Sequence, residues 1–206
     1  MRTTSWDRVL LAAAVALPLI GCAQRAAAPP GAGGSGAIAK LATATGAPAG
    51  QAVLTAVPDG VEIVVNVQGL TPGQHGFHIH ANGKCEPSSD AAGKTVAFGA
   101  AGGHFDPEGT GRHGHPDHGV RHAGDAPNLM ADAQGRATLR YVSPKVTLAP
   151  GPNSIMGRAL VVHADPDDYQ TNPAGNSGGR VLCGVIQPAR LDAVVGSIGP
   201  ERHLVR

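Results

Sequence analysis

Apolar residues along this chain recur with a period of two. The clearest run is Val61, Ile63, Val65 and Val67, interleaved with Glu62, Val64, Asn66 and Gln68. Successive side chains of a strand point to opposite faces, so this alternation predicts a half-buried strand. Leu70-Thr71-Pro72-Gly73 then predicts a turn, because proline presets the backbone and glycine tolerates the reversal. Further short strands are predicted near 37–43, 51–57, 75–80, 136–142, 155–163 and 181–186. No stretch sustains a 3.6-residue apolar period, and no solenoid-type repeat is present. The pattern predicts an all-β domain over 37–187.

Two segments break the alternation. Residues 81–134 and 164–180 are polar and rich in Gly, Pro, His and Asp. Long irregular loops in a compact domain are usually functional or disordered. Both carry candidate ligands, and each holds a cysteine or runs up to one, which favours function. Residues 188–206 offer little to a core and read as a C-terminal tail.

Composition sharpens the picture. The 206 residues hold 30 Gly and 17 Pro with 3% aromatics, which favours short strands and many turns over helices. The N-terminus reads as an address. Arg2 and Arg8 precede Val9–Gly21, an uncharged stretch that falls short of the about 20 residues needed to span a bilayer. It suits a signal sequence instead. It ends in Leu19-Ile20-Gly21-Cys22, which looks like a bacterial lipobox. Residues 1–21 are thus expected to be a lipoprotein signal peptide, Cys22 the lipidated first residue, and 22–36 a flexible tether. The alternative is an ordinary secretory signal with an incidental cysteine. The expected location is the bacterial cell envelope, exported and lipid-anchored, on the periplasmic or outer face of a membrane. The formal charge of +1 falls to zero without Arg2, Asp7 and Arg8, which gives no support to nucleic-acid binding.

The chemistry centres on residues 75–80, His-Gly-Phe-His-Ile-His. In a strand His78 and His80 share a face, and two imidazoles side by side suit a metal. His104, His113, His122 and His163 follow, with Asp125 three residues after His122. Setting Cys22 aside leaves Cys85 and Cys183, and an exported chain would pair them as a disulfide.

Five fragments together match a family: GFHIH at 76–80, GGHFDP at 102–107, His113 followed by His122-x-x-Asp125, GRALVVH at 157–163, and GNSGGRVLCGVI at 175–186. In this order they resemble copper-zinc superoxide dismutases of the exported bacterial kind. The resemblance implies an eight-stranded antiparallel Greek-key β-barrel or sandwich with two long functional loops, and the strand spacing is consistent with it. It implies dismutation of superoxide to dioxygen and hydrogen peroxide. It assigns copper to His78, His80, His104 and His163, and zinc to His104, His113, His122 and Asp125. His104 would bridge both metals as an imidazolate. Asp167 would hydrogen-bond the free ring nitrogens of His78 and His113. Arg180 would attract and orient the anionic substrate, which with His104 makes the catalytic pair. Exported relatives occur as monomers and dimers, so a homodimer is open.

The remaining histidines read otherwise. His75 faces away from His78 and His80 and is expected to bond backbone. His115 and His118 in the zinc loop, and His203 in the tail, are expected to be exposed. Phe77 and Phe98 are expected to anchor core or loop, since a two-atom substrate needs no apolar pocket. Two rivals remain: a metal buffer, which would not need Arg180, and an envelope interaction module, which would purify without copper or zinc.

Overall fold

Each period-two segment becomes a strand with its apolar side turned to a common interior. The computed structural model describes residues 35–190. Cys22, the expected signal segment, the expected tether up to residue 34, and His203 lie outside them. The strands are β1 (Ser35–Ala42), β2 (Pro48–Val57), β3 (Gly60–Val67), β4 (Gly73–His75), β5 (Phe77–His80), β6 (Ser88–Ser89), β7 (Thr95–Val96), β8 (Leu129–Ala131), β9 (Ala137–Ser143), β10 (Ala159–His163) and β11 (Arg180–Arg190). β6 and β7 form a separate small hairpin. The other nine form one antiparallel sheet in the order β4-β8-β9-β3-β2-β1-β11-β10-β5.

β4 and β5 stand at opposite ends of this order, yet only Gly76 separates them in sequence. The sheet therefore curls until its ends meet in one bent strand, nearly closing a barrel. Counted as one, β4 and β5 reduce the nine-stranded sheet to the eight strands expected. The bend is pinned by hydrogen bonds from Gly76 N to Asp165 O and from His163 N to Gly76 O, both 2.8 Å. Closure removes the exposed edges that invite aggregation.

The interior is filled by Val61, Ile63 and Val65 of β3, Leu54 of β2, Phe77 and Ile79 of β5, Leu160 and Val162 of β10 and Ile186 of β11, all fully buried. Because side chains alternate, His78, His80 and His163 point out of the barrel. On that outer face Ala159, Val161 and Cys183 carry a second apolar cluster, capped by Phe98 and Ala101 from the loop above. These three histidines are thus carried on the outside of the barrel wall, beneath the long loops.

Three boundaries differ from expectation. β11 runs to Arg190 and β1 begins at Ser35, so the domain extends past 37–187 at both ends. Residues 187–190 lack apolar alternation, but their backbone pairs with β1 through Ser35↔Arg190 and Ala37↔Pro188. β10 starts at Ala159 rather than 155, because Met156–Gly157 form a turn with Gly157 at φ +74°. The loop 81–134 contains the β6–β7 hairpin, a 3-10 turn at Gly99–Ala101 and strand β8.

Candidate metal centre

β5 pairs with β10 along one edge, and its other edge meets no regular strand. Loop segments dock there instead. Phe105 N donates to Ile79 O at 2.8 Å, Ala81 N to Gly103 O, Ile79 N to Gly124 O, and Gly124 N to Phe105 O, each at 2.9 Å. These bonds put His80 opposite His104 and His78 opposite Asp125. Gly124 is obligatory, since a Cβ there would lie 2.2 Å from Ile79 O. Ligands distant in sequence are thus registered against one strand edge.

Three groups of buried side chains have ligand atoms within 4.8 Å of one another, and besides His78, His113 and Asp167 two of them have four members. One is His78, His80, His104 and His163, the set expected to hold copper. The other is His104, His113, His122 and Asp125, the set expected to hold zinc. In the second, Asp125 Oδ1 lies 2.8 Å from His104 Nδ1, 3.0 Å from His113 Nδ1 and 3.2 Å from His122 Nδ1. Three imidazoles and one carboxylate are a suitable tetrahedral zinc set.

The first set shows its purpose through missing partners. His78 Nδ1 and His104 Nε2 are buried without any hydrogen bond among the described residues. An unsatisfied buried polar atom costs about 1–3 kcal/mol, and both fall in one ligand set. His80 Nδ1 donates to Gly102 O at 2.9 Å, and His163 Nδ1 to Gly178 O at 3.3 Å. These bonds assign the protons to Nδ1, leaving Nε2 of each ring as a bare lone pair. Those two Nε2 atoms face each other at 3.4 Å, an arrangement that a shared cation stabilises. The donor set fits copper, for which imidazole is a favoured ligand.

The surroundings hold these rings in place. Asp167 lies between the sets, with Oδ2 2.7 Å from His78 Nε2 and Oδ1 2.8 Å from His113 Nε2. Asn128 grips Asp167 from behind, accepting from its N–H at 2.9 Å and donating to its carbonyl at 3.0 Å. Arg180 is half-buried, and its guanidinium donates to Phe98 O at 2.7 Å and Gly102 O at 2.6 Å. Gly102 O therefore serves both Arg180 and His80. The Cys85–Cys183 disulfide ties the segment of Cys85, which packs against the Phe98 cluster, to β11 across a sequence separation of 98. Closing a loop of that length is worth up to about 4–5 kcal/mol in a chain-entropy picture.

Residues 48–186 match the family described as copper/zinc superoxide dismutase (SODC). The chain belongs to that family. It is 46% identical over 153 residues to the Cu-Zn superoxide dismutase of Deinococcus radiodurans, covering 72% of this chain and 82% of that one. With the Photobacterium leiognathi enzyme it shares 45% over 145 residues, 69% of this chain and 81% of the relative. The solved Cu/Zn superoxide dismutase of Brucella abortus superposes with a TM-score of 0.65 at 38% identity, covering 73% of this chain and 98% of the other. This chain is accordingly a superoxide dismutase whose cofactors are copper and zinc.

The remaining histidines of this superoxide dismutase fall outside both sets. His75 Nδ1 bonds His163 O at 2.7 Å and its Nε2 bonds Thr71 O at 2.8 Å, the backbone role expected. His115 and His118 stack on each other with ring centroids 4.5 Å apart, and His115 also packs on Tyr169 at 4.7 Å. Phe98 packs in the outer-face cluster as a loop anchor, whereas Asn128 and the carbonyls of Phe98 and Gly102 were not foreseen. Nothing in the spacing marks Asn128, and a backbone carbonyl carries no residue signature.

Charge in the metal-free dismutase is set by burial and by two carboxylates. Burial depresses the pKa of His78, His80 and His104, and takes His163 down to about 4. For His113 burial works downward too, but Asp125 and Asp167 outweigh it and raise the ring to about 9. Burial would raise both carboxyls, yet hydrogen bonds from the histidines hold Asp125 and Asp167 well below the usual range. The signs follow from which state binds more protons. As pH falls below about 6.5 the unfolded chain takes up protons that His163 refuses until about 4, and that buried His78, His80 and His104 also resist, so stability falls. The His113 contribution is complete below about 6.5 and is lost as pH rises through about 9. Urea unfolding of metal-free protein is expected to show a stability maximum near pH 6.5, and a flat profile from about pH 4.5 to 9.5 would contradict this.

Proposed function

We propose that this enzyme disproportionates superoxide with a copper that His78, His80, His104 and His163 would hold and a zinc that His104, His113, His122 and Asp125 would hold, His104 belonging to both sets. His104 is the observation that carries this reading. Its Nδ1 lies 2.8 Å from Asp125 Oδ1 in one set, while its Nε2 is buried and unpartnered in the other. Bound copper supplies the one-electron couple, and zinc, which has no redox chemistry, organises its loop. In sum, two superoxide ions and two protons give dioxygen and hydrogen peroxide.

The chain supplies the rest. Arg180 presents a fixed cation against the copper set, and its charge is felt at both His80 and His163, where it adds to burial in lowering their pKa. It draws a small anion to the site and orients it. His104 Nε2 is the atom placed to hold a proton for the product while Nδ1 stays with Asp125. Asp167 keeps the His78 and His113 rings from turning.

The test is superoxide decay by pulse radiolysis, on metal-free protein and then on protein loaded with copper and zinc. Fast copper-dependent decay is expected. A loaded protein that leaves decay at the buffer rate would overturn the catalytic assignment. Arg180→Ala is expected to keep both metals and lose about tenfold or more of the bimolecular rate at low salt, along with most of the salt dependence. An unchanged rate would remove the steering role.

The leader pattern supports a lipid-anchored enzyme in the bacterial cell envelope, held by Cys22 through the tether that follows. Labelled palmitate fed to the producing cells is expected to appear on the protein and to vanish in Cys22→Ser. An unlabelled native protein would remove the anchor and leave the catalytic reading intact.

A further inference from the structure

Arg158 stands just before β10. It lies on neither ligand set, yet its side chain reaches the two segments that carry His80 and His104. Nε donates to Ser154 O at 2.8 Å, and Nη1 donates to Ala81 O at 2.5 Å. The guanidinium carbon sits 3.7 Å from the centroid of the Phe105 ring. Ala81 follows His80, and Phe105 follows His104. These two stretches are the docked ladder on the β5 edge, joined by Ala81 N to Gly103 O and Phe105 N to Ile79 O. One rigid cation therefore grips both rails of the ladder at once, one by a hydrogen bond and the other by the face of an aromatic ring.

We propose that Arg158 is a positioning residue for the bridge between the metals, fixing the spacing of the His80 and His104 segments through Ala81 O and the Phe105 ring. A planar fork suits this work better than a lysine, because it can donate edge-on to two carbonyls while stacking flat on a ring. Only His104 serves both metals, so a shift of its segment changes the copper environment first. The inference rests on His80 and His104 being ligands. The copper and zinc content of the unsubstituted protein reports on that assignment, and the spectra of variants report on Arg158.

The experiment uses the copper- and zinc-loaded protein and reads Cu(II) by electron paramagnetic resonance and visible absorption, with copper affinity by competition against a chelator. Arg158→Met is expected to shift the Cu(II) spectrum and weaken copper binding about tenfold, the scale seen when partners of metal ligands are removed. Arg158→Lys is expected to return part of the way, since an ammonium still reaches one carbonyl and stands over the ring. Ile63→Val, a core change on β3, is the control: it lowers stability and leaves the spectrum alone. A Cu(II) spectrum and copper affinity in Arg158→Met equal to those of the unsubstituted protein would overturn the proposal. If Arg158→Met does not fold, Phe105→Leu decides. It removes the ring face while keeping an apolar side chain, and a shifted spectrum supports the role whereas an unchanged one overturns it.

Discussion

His104→Ala is expected to leave superoxide decaying at the rate of buffer and to weaken both metals together. No other ligand substitution should do both. The variant removes one of four donors from each set, because the two sets share only this ring. It also takes from Asp125 Oδ1 the closest of its three imidazole partners, at 2.8 Å. His122→Ala is the informative comparison, since His122 belongs to the second set alone. It should lose zinc and keep copper. Metal stoichiometry after dialysis, measured alongside decay kinetics, separates the two. Retention of both metals at full strength in His104→Ala would end the shared-ligand assignment.

Gly175→Ala is expected to cost about 10–100-fold in zinc affinity, although residue 175 binds no metal. Gly175 has φ +61°, and an added Cβ would lie 1.8 Å from Asp167 Oδ1 and 2.7 Å from His113 Nε2. Both neighbours are buried, so neither can swing aside into solvent. The methyl group must push the Asp167 carboxylate off the His113 ring, which frees that ring to turn. Backbone strain of about 1–2 kcal/mol adds to this, because alanine disfavours the left-handed region. Asp167→Ala should reproduce the loss of zinc affinity without the strain, so comparing zinc titrations and unfolding curves of the two variants divides the effect. Unchanged zinc affinity in Gly175→Ala would show that Asp167 does not hold His113.

Much of this was legible in the chain itself. Metal coordination demands particular residue types, and the candidate ligands His78, His80, His104, His113, His122, Asp125 and His163 announce themselves by type and spacing. The barrel was legible where strands alternate cleanly, as in β3. It was not legible where pairing depends on backbone alone. Residues 187–190 continue β11 because β1 lies beside them, and no alternation reveals that. Strands of two or three residues, such as β6 and β8, are too short to show a period. The same blindness hid the support around the site. Arg180 is aimed by the carbonyls of Phe98 and Gly102, and Phe98 itself takes a left-handed backbone at φ 56° to offer its oxygen. A bulky residue rarely adopts that conformation, so nothing in its identity suggested it.

The alternation along β5 also sets an order of assembly. Phe77 and Ile79 complete the barrel interior, while His78 and His80 belong wholly to its outer surface. The core is thus finished by hydrocarbon alone, and no buried apolar contact waits for an ion. The chain can close its barrel and form its disulfide first, then take up copper and zinc as each becomes available. Maturation by late metal capture needs no reopening of the fold, only access beneath two loops.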